Sequence, residues 1–583
     1  MTIKRACAVL IALLLTVPLG AFGSEVRLWQ ANERQVSRNV ATTLDNLPEA
    51  ARSRTDSLVI GVTDLVGEIN PFFARTMGDQ YAASLMFDEL VFANVKGEYG
   101  TGVASCAFNG EASSFTFTLQ EKTVYADGEP IRSDDFINAL YLITMPGFAG
   151  TFDVSGASIA GLDAYLAGES GAIDGIRRVD DRTFTVVVTV PNPESIAYFA
   201  IPALRTSVFG DMRRPESLRD APAFLSFYEE RLAAVRAADA SAMAYGQYTL
   251  LSLTPGDGAV LGKNLAYFRG EPYIGEVRLS VIPIGQELDA MLSGTIDIAS
   301  VFASVDLVDA AVDRQSGFIN LYSWRGDVVG YLGFNLTHPL FQDADVRRAL
   351  AAGLNRENAR QSGIERYGAV PTAMMFDVFE GAVSPPELYP FDLQRAAGLL
   401  DSAGWTLEED GIRAKEGIPF RFTMHYAQNN PIMEITLPLI QADFAKLGIA
   451  MQPIPIPLEE LIERIDRNDC EMYCAAQRLP TDPRVAVDYF IGEGHLNAGK
   501  FAPEPLTRDL ARARADNDPT RQRVLFERLF IDLYDWMSII PLYRRSEMIL
   551  INARVMNANV SIAHDITAEV YRFFLVDTLE GQW

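Results

Sequence analysis

The side chains that most often perform catalysis or bind metals are scarce in this chain of 583 residues, which contains only 4 His and 4 Cys. The histidines are scattered along the sequence as His338, His425, His495 and His564. This spacing offers little material for a histidine-based metal site, because such a site gathers several ligands. No metal-ligand spacing and no Ser/His/Asp set stands out from the background of the sequence. The sequence therefore predicts a protein that is not an enzyme and that needs no metal or cofactor.

One segment fits part of a phosphate-binding pattern. Residues 494–500 match the first seven positions of G-x-x-x-x-G-K-[ST], but the eighth position is Phe501. Phenylalanine cannot replace the Ser or Thr hydroxyl that holds Mg²⁺ in such loops. The segment also lacks a clear strand before it and a clear helix after it. We interpret it as a glycine-containing surface loop and do not expect nucleotide binding.

The N-terminus has the three parts of a secretory signal. A basic start is followed by an uncharged, mostly apolar stretch over residues 6–22 and by small residues before Ser24. We predict cleavage after Gly23, with an uncleaved N-terminal anchor as the open alternative. Cys7 lies at the start of the apolar stretch and not directly after it, so there is no lipobox cysteine and no lipid anchor is expected. The protein is therefore predicted to be periplasmic or secreted.

Three cysteines lie outside this signal, and an odd number leaves at least one thiol unpaired in a monomer. Cys470 and Cys474 belong to one predicted strand, where residues four apart are separated by ~13 Å, too far for a disulfide. The simplest interpretation is that these two residues and Cys106 are small buried side chains.

The composition excludes some classes of protein. Acidic side chains outnumber basic ones by 76 to 50, which gives a formal net charge of −26. Phosphates repel carboxylates, so no nucleic-acid binding is expected, and the charge mainly favours solubility. The hydrophobic fraction of 49% and charged fraction of 22% are typical of a globular chain. At about 150 residues per domain, the length predicts three or four folding units.

The elements that must position any site follow an α/β pattern. Leu58–Val62 is an apolar run typical of a buried strand, and Phe115–Leu119 alternates apolar and polar residues as a half-buried strand does. From Trp324 onward, predicted strands and helices alternate regularly, and Asp345 and Asp392 are predicted helix N-caps. Such alternation indicates mainly parallel sheets that are covered on both faces.

Five groups of segments stand in a characteristic order along residues 56–583. They are Leu58–Gly61 with Ile69–Pro71; Phe115–Leu119 with Tyr125–Phe136; Tyr245–Tyr248 with Asn264–Phe268; Leu332–Asn335 with Pro339–Phe341, Asp345–Leu350 and Asn355–Glu357; and Ala396–Trp405. This series resembles the extracytoplasmic solute-binding proteins of peptide- and nickel-type ABC importers, bacterial family 5. The second group is the most specific match, whereas Tyr245–Tyr248 lacks a Gly and a Pro of the family pattern.

The resemblance implies a two-lobed α/β fold of the periplasmic-binding-protein type II, cluster C-like class, with mixed sheets and a hinge between the lobes. The implied parts are a signal peptide at 1–23, an exposed segment at 24–55, lobe I at 56–310 with an inserted subdomain at about 93–175, lobe II at 320–535, and a return to lobe I at 541–583. Two crossings, near 310–325 and 536–541, would form the hinge. Closure around a ligand would be a hinge-bending motion.

The resemblance also implies where the ligand binds. In peptide-binding members of the family, an aspartate of the second lobe accepts the amino group of the peptide. The aligned position here is Leu479, whose side chain cannot accept hydrogen bonds. Asp482 could supply the carboxylate from a shifted position, or it could serve only as a turn residue before Pro483. Arg478 is the other candidate contact, because a guanidinium favours a carboxylate or another anion; packing on the lobe surface is its open alternative.

Four further residues are candidate ligand contacts. Asn70 and Tyr426 occupy positions that face the cleft in the family. Trp324 and Trp536 fall near the predicted hinge, where an aromatic ring either packs the hinge or forms a platform for the ligand.

The implied function is an extracytoplasmic receptor that captures peptides or peptide-like solutes between its lobes and delivers them to an ABC permease in the inner membrane. Its partners would be the solute and the permease, without nucleic acid, and a monomer is expected. Two alternatives stay open. One is a protein of the same fold that no longer transports and acts in surface interaction or sensing. The other is a hydrolase, for which the sequence offers no nucleophile.

Overall fold

The computed structural model describes most of the chain. The described residues are 37–39, 41, 43–94, 98–191, 193–215, 221–301, 317–364, 368–372, 387–479, 486–492, 497, 501–516, 518–561 and 565–579. The predicted signal peptide and the candidate contact Asp482 lie outside them.

Strands and helices alternate through the described chain. The strands are β1 Ser37–Asn39, β2 Ser57–Val62, β3 Val91–Ala93, β4 Tyr99–Thr101, β5 Ala104–Asn109, β6 Ser114–Leu119, β7 Ile176–Arg178, β8 Thr183–Val187, β9 Tyr248–Thr254, β10 Gly258–Lys263, β11 Glu276–Val281, β12 Ile298–Ser300, β13 Ile319–Phe334, β14 Gly368–Ala369, β15 Thr406–Leu407, β16 Arg413–Lys415, β17 Ile418–Pro419, β18 Arg421–Ala427, β19 Ala450–Ile456, β20 Met472–Arg478, β21 Ile539–Asn552, β22 Val555–Met556 and β23 Phe574–Leu575. The α-helices are α1 Glu49–Arg52, α2 Met77–Met86, α3 Ser133–Ile143, α4 Leu162–Leu166, α5 Thr206–Phe209, α6 Ala221–Arg236, α7 Glu287–Leu292, α8 Ala344–Ala352, α9 Arg356–Gly363, α10 Leu393–Ser402, α11 Pro431–Lys446, α12 Leu458–Asp466, α13 Glu504–Ala515 and α14 Pro519–Trp536.

One mixed sheet runs through the whole molecule. Its strand order is β19-β18-β20-β13-β21-β12-β2-β11-β10-β9, and β1 and β14 pair with β13 and β21 respectively. The two long strands at its centre, β13 and β21, pair antiparallel from Ile319–Asn552 to Gly333–Ile539, with a register shift between Arg325 and Val329. These two strands connect the two halves of the sheet.

Separate hydrophobic cores lie on either side of these strands. The cores of lobe I include Ile319 on β13 and extend along β21 from Met548 onward. The core of lobe II begins at Val329 and includes Tyr543. Residues 325–328 and 544–547 therefore form the crossing between the lobes. The resemblance implies a second crossing near 536–541, but residues 539–543 still pack in lobe II and the strand crosses at 544–547.

Lobe I carries an antiparallel sheet of its own, in the order β5-β6-β8-β7. In β6, Phe115, Phe117 and Leu119 are buried on one face and alternate with Thr116 and Thr118, as the sequence predicts for a half-buried strand. This sheet includes β7 and β8, which follow residue 175, the end that the resemblance implies for the inserted subdomain.

Two helices of lobe II test the N-caps predicted from the sequence. Asp392 caps α10 by accepting the backbone N–H of Arg395, which confirms its prediction as an N-cap. The prediction for Asp345 is wrong: Asp343 caps α8 and accepts the N–H of Asp345, which lies in the first turn. Two aspartates within three residues are equivalent signals in the sequence, and only the backbone conformation separates them.

Candidate functional site

Strands of both lobes end at the crossing. In lobe II, β20 runs antiparallel to β13, from Met472 opposite Phe334 to Arg478 opposite Val328. In lobe I, β12 ends at Ser300 opposite Ile549, and β2 runs parallel to β12. Ligands of α/β sheets bind outside the carboxyl ends of the strands, where chain connections diverge. The crossing is therefore the candidate site.

An arginine–glutamate network occupies the crossing. Glu547 on β21 is only 12% exposed, and its Oε2 lies 3.7 Å from Nη2 of Arg478 on β20. Its Oε1 lies 3.6 Å from Nη2 of Arg545, whose side chain is also 12% exposed. These separations are ion pairs rather than hydrogen bonds. Arg478 is 57% exposed, so its guanidinium reaches solvent at the end of β20.

Trp324 lies beside this network. It stands directly opposite Glu547 in the β13–β21 pair, so both side chains project from the same face of the sheet. Trp324 is half-buried and packs against the core of lobe I. Two residues later, a Cβ on Gly326 would lie 2.5 Å from Cγ of Glu547, so the glutamate side chain fills the space that a side chain at 326 would need.

Lobe I contributes hydroxyl groups to the same region. The hydroxyl of Tyr81 on α2 lies 3.3 Å from the Ser300 hydroxyl at the end of β12. Burial raises the pKa of Tyr81 above its ordinary value, and the carboxylates of Asp565 and Glu547 add to this rise. The charge of Arg478 opposes it. Tyr81 therefore keeps its proton. The charged groups that act on it, Asp565, Glu547 and Arg478, come from the crossing and from both lobes.

Tyr426 lies in lobe II, near the carboxyl end of β18. It pairs with Cys474 on β20 and is half-buried against the core of lobe II. Cys474 precedes Arg478 by four residues, so Tyr426 lies ~13 Å along the strand direction from that arginine. The structure places Trp324 and Arg478 together at the crossing and Tyr426 on the adjoining wall of lobe II.

The other sequence-predicted contacts lie elsewhere or serve the fold. The Asn70 side chain is 4% exposed. Its Nδ2 donates to the Val235 carbonyl at 2.8 Å, and its Oδ1 accepts from Phe72 N–H at 3.1 Å. Both polar atoms of Asn70 are therefore engaged within lobe I. Leu479 is 1% exposed in the core of lobe II, so the position aligned with the family aspartate is an apolar packing position.

Trp536 lies away from the hinge. It ends α14, three residues before Ile539, which pairs with Gly333 at the end of β13 that is remote from the crossing. Its ring centroid is 5.0 Å from Cζ of Arg347, and its carbonyl accepts from Arg347 Nη2 at 2.8 Å. Trp536 therefore packs within lobe II. Its predicted hinge position depended on a crossing near 536–541, whereas the strand crosses at 544–547.

Glu547, Arg545, Tyr81 and Ser300 also lie at the crossing and were not predicted from the sequence. A signal for the first two is present, because Arg544–Glu547 is a polar run within the otherwise apolar strand β21. Tyr81 and Ser300 carry no comparable signal; only the sheet order brings them to the crossing. Among the described residues, no group of three or more His, Cys, Asp or Glu could hold a metal ion. No helix of the described part is long and apolar enough to span a bilayer.

Comparison with known proteins identifies the family. The model of the bacterial extracellular solute-binding proteins, family 5, matches residues 107–492, more than half of the chain. The chain belongs to this family. Family 5 proteins bind solutes and are not enzymes, which confirms the prediction that this chain is not an enzyme.

Individual family 5 proteins are similar at low identity. The oligopeptide-binding protein AppA of Bacillus subtilis is 27% identical over 211 residues, which cover 35% of this chain and only 38% of AppA. The periplasmic oligopeptide-binding protein OppA of Escherichia coli is 22% identical over 387 residues, covering 64% of this chain and 67% of OppA. Lactococcal OppA, complexed with an endogenous peptide in the closed conformation, matches with a TM-score of 0.74 at 16% identity, over 89% of this chain and 99% of that one. This structural likeness confirms the predicted two-lobed, cluster C-like α/β fold.

Proposed function

We propose that this family 5 protein is the extracytoplasmic receptor of an ABC importer and captures peptides or peptide-like solutes between its lobes. The observation that carries the proposal is the convergence of Arg478 from lobe II, Glu547 from the crossing and Tyr81 from lobe I. A ligand at this point contacts both lobes only when they close, so closure selects the ligand. The oligopeptide-binding relatives and the family motifs support a peptide-like ligand and delivery to a membrane permease.

Arg478 gives the proposed site its chemical preference. A guanidinium can bind a carboxylate through two parallel hydrogen bonds, and 57% of the Arg478 side chain is exposed at the end of β20. The buried Leu479 next to it offers no carboxylate for a peptide amino group. We therefore propose that the ligand is held through a carboxylate, with Trp324 and Tyr426 as aromatic contacts. A contact from Asp482 stays a prediction.

The first test uses ligand pools and the protein without residues 1–23. Native mass spectrometry would detect a ligand that copurifies. Thermal unfolding would then be measured with a pool of tri- to pentapeptides, the same pool amidated at the C-terminus, an oligosaccharide pool and a pool of metal chelates. We expect the free-carboxylate peptides to raise Tm most, because a ligand at 100 times its Kd stabilises the folded state by about 2.7 kcal/mol. Equal stabilisation by amidated peptides would contradict the carboxylate contact, and no stabilisation by any pool would contradict the receptor.

A matched pair of variants tests the role of Arg478. Arg478→Gln is expected to weaken peptide binding about tenfold to a hundredfold, because a hydrogen bond to a charged group contributes about 1.5–3 kcal/mol. Arg508→Gln is the control: Arg508 is 63% exposed in lobe II and also lies 3.7 Å from a glutamate, Glu504, but on α13. Titration calorimetry with the most stabilising peptide measures both affinities. Equal affinities of the two variants would remove Arg478 from the site.

A second candidate function is favoured by Leu479. A buried leucine stands where peptide-binding members of the family have an aspartate that accepts the amino group of the peptide. This replacement is consistent with a protein that keeps the fold but no longer transports and acts in surface interaction or sensing. Deletion of the gene separates the two functions. Loss of peptide uptake supports the receptor, whereas unchanged uptake together with loss of a protein partner supports the second function.

A further inference from the structure

The lobes also contact each other away from the two crossing strands. Arg514 of α13 and Asp488 of the 3₁₀-helix Val487–Phe490 belong to lobe II, and Arg514 Nη2 lies 2.5 Å from Asp488 Oδ1. The hydroxyl of Tyr198, in the 3₁₀-helix Pro193–Phe199 of lobe I, lies within hydrogen-bonding reach of this pair, where it lowers the pKa of Asp488 and raises that of Arg514. This group of Tyr198, Asp488 and Arg514 is called the interlobe clasp below.

The lobe I member of the clasp is held in place by packing. Tyr198 is 8% exposed and belongs to the core of lobe I. A Cβ on Gly156 would lie 2.2 Å from the Tyr198 hydroxyl and 2.3 Å from its Cζ, so the end of the ring lies directly against the backbone of Gly156. The hydroxyl therefore has a fixed position on the surface that lobe I presents to lobe II.

The lobe II members are anchored by their chain neighbours. Val487 and Phe490, on either side of Asp488, are buried in the core of lobe II, and the Phe490 ring lies 6.3 Å from that of Phe530. Arg514 follows Ala513, which is fully buried in the same core. The three polar groups of the clasp are therefore presented by rigid elements, and their contact depends on how the lobes are placed.

The charges of the clasp are partly removed from water. The side chains of Arg514 and Asp488 are 25% and 24% exposed. Burial raises the pKa of Asp488, and the charge of Asp153 in lobe I acts in the same direction, whereas Arg514 and Tyr198 oppose the rise. Burial lowers the pKa of Arg514, but the charge of Asp488 acts together with Tyr198 and with the hydrogen bond to Asp488, and the net shift is upward. A hydrogen bond to a partly buried ion pair is stronger than one between neutral groups in water.

We propose that the interlobe clasp sets the stability of the closed form and thereby the affinity for ligand, without touching the ligand. The clasp is complete only when lobe I brings Tyr198 to the Asp488–Arg514 pair. A receptor whose binding-competent form is a fraction of the population has its affinity reduced by that fraction. Residues that change this fraction therefore change affinity for every ligand alike. The link to affinity depends on the proposed function, but the effect on closure does not.

The test measures lobe separation in the protein without residues 1–23 and without added ligand. Spin labels attached at Glu121→Cys in lobe I and Glu504→Cys in lobe II report their separation by pulsed electron paramagnetic resonance. Both positions are exposed, at 85% and 78% of the side chain. The native Cys106, Cys470 and Cys474 are buried and should remain unlabelled. The variants are Tyr198→Phe, which keeps the ring against Gly156, Asp488→Asn, and the two combined.

Each single variant is expected to lower the ratio of closed to open molecules about tenfold, the effect of losing a hydrogen bond to a charged group. The double variant should change little beyond the single variants, because both remove the same contact. Tyr273→Phe, with an exposed ring in lobe I, and Asp532→Asn, paired with Arg528 within α14, are the controls and should leave the distances unchanged. Wild-type distances in both single variants, or fully additive shifts, would overturn the proposal. Because no ligand is present, this outcome is independent of whether peptides bind.

Discussion

At the scale of single residues, the most informative side chain is Glu547. It lies between Arg478 and Arg545, is only 12% exposed, and packs against Gly326 on the neighbouring strand. Burying a charged group costs free energy unless an opposite charge lies close to it. Glu547 therefore holds two arginines at the crossing, and one of them is the proposed contact for the ligand carboxylate.

Replacing Glu547 by glutamine tests this arrangement. Glu547→Gln keeps the shape beside Gly326 but removes one negative charge that lies near both Arg478 and Arg545, so we expect the free energy of unfolding to fall by about 1–2 kcal/mol. Urea denaturation measures the change. Glu504→Gln removes a glutamate at the same 3.7 Å from an arginine but with 78% of its side chain exposed, and should cost less than about 0.5 kcal/mol. Equal costs at both positions would show that burial of Glu547 does not matter.

At the scale of elements, local sequence patterns predict features within one strand or helix but not the contacts between elements. The alternation in β6 and the cap at Asp392 were predictable because each depends on neighbours in sequence. The motif order of the family made Arg478 a candidate contact, and its contact with ligand stays a prediction. The position of the crossing was not predictable, because β21 continues through both lobes and the polar run Arg544–Glu547 looks like a break in it. The meeting of Tyr81 with Ser300 depends on strand order and is not encoded near either residue.

Two glycines give opposite predictions for the same substitution. A Cβ at Gly326 would lie 2.7 Å from the backbone oxygen of Arg545 as well as 2.5 Å from Glu547 Cγ, so Gly326→Ala is expected to lower the free energy of unfolding by about 1–3 kcal/mol. Gly398 lies within α10 with open space around its Cβ position, so Gly398→Ala should raise it by about 0.5–1 kcal/mol. Thermal and urea unfolding measure both. A stabilised Gly326→Ala variant would contradict the close packing at the crossing.

At the scale of the whole molecule, two cores share one sheet but remain separate clusters. On the two central strands, the cores of lobe I contact residues up to Trp324 and from Met548, and the core of lobe II lies between Val329 and Tyr543. Rigid cores joined by two strands favour motion at the connection over rearrangement inside either lobe. The lobes contact each other at the crossing and at the interlobe clasp. We therefore expect ligand binding to slow local opening at both places and to change it little in the cores.

Hydrogen exchange with mass spectrometry tests this coupling in the intact protein. When the most stabilising peptide is added, we expect slower exchange in segments that cover the crossing, at 324–330 and 543–548, and around the clasp residues Tyr198 and Asp488. Amides of the lobe cores, such as those of β2, should change much less, because they already open only by larger unfolding events. An oligosaccharide that gives no thermal shift is the control. Protection confined to one lobe would mean that the peptide binds on a surface of that lobe, and that the lobes do not close around it.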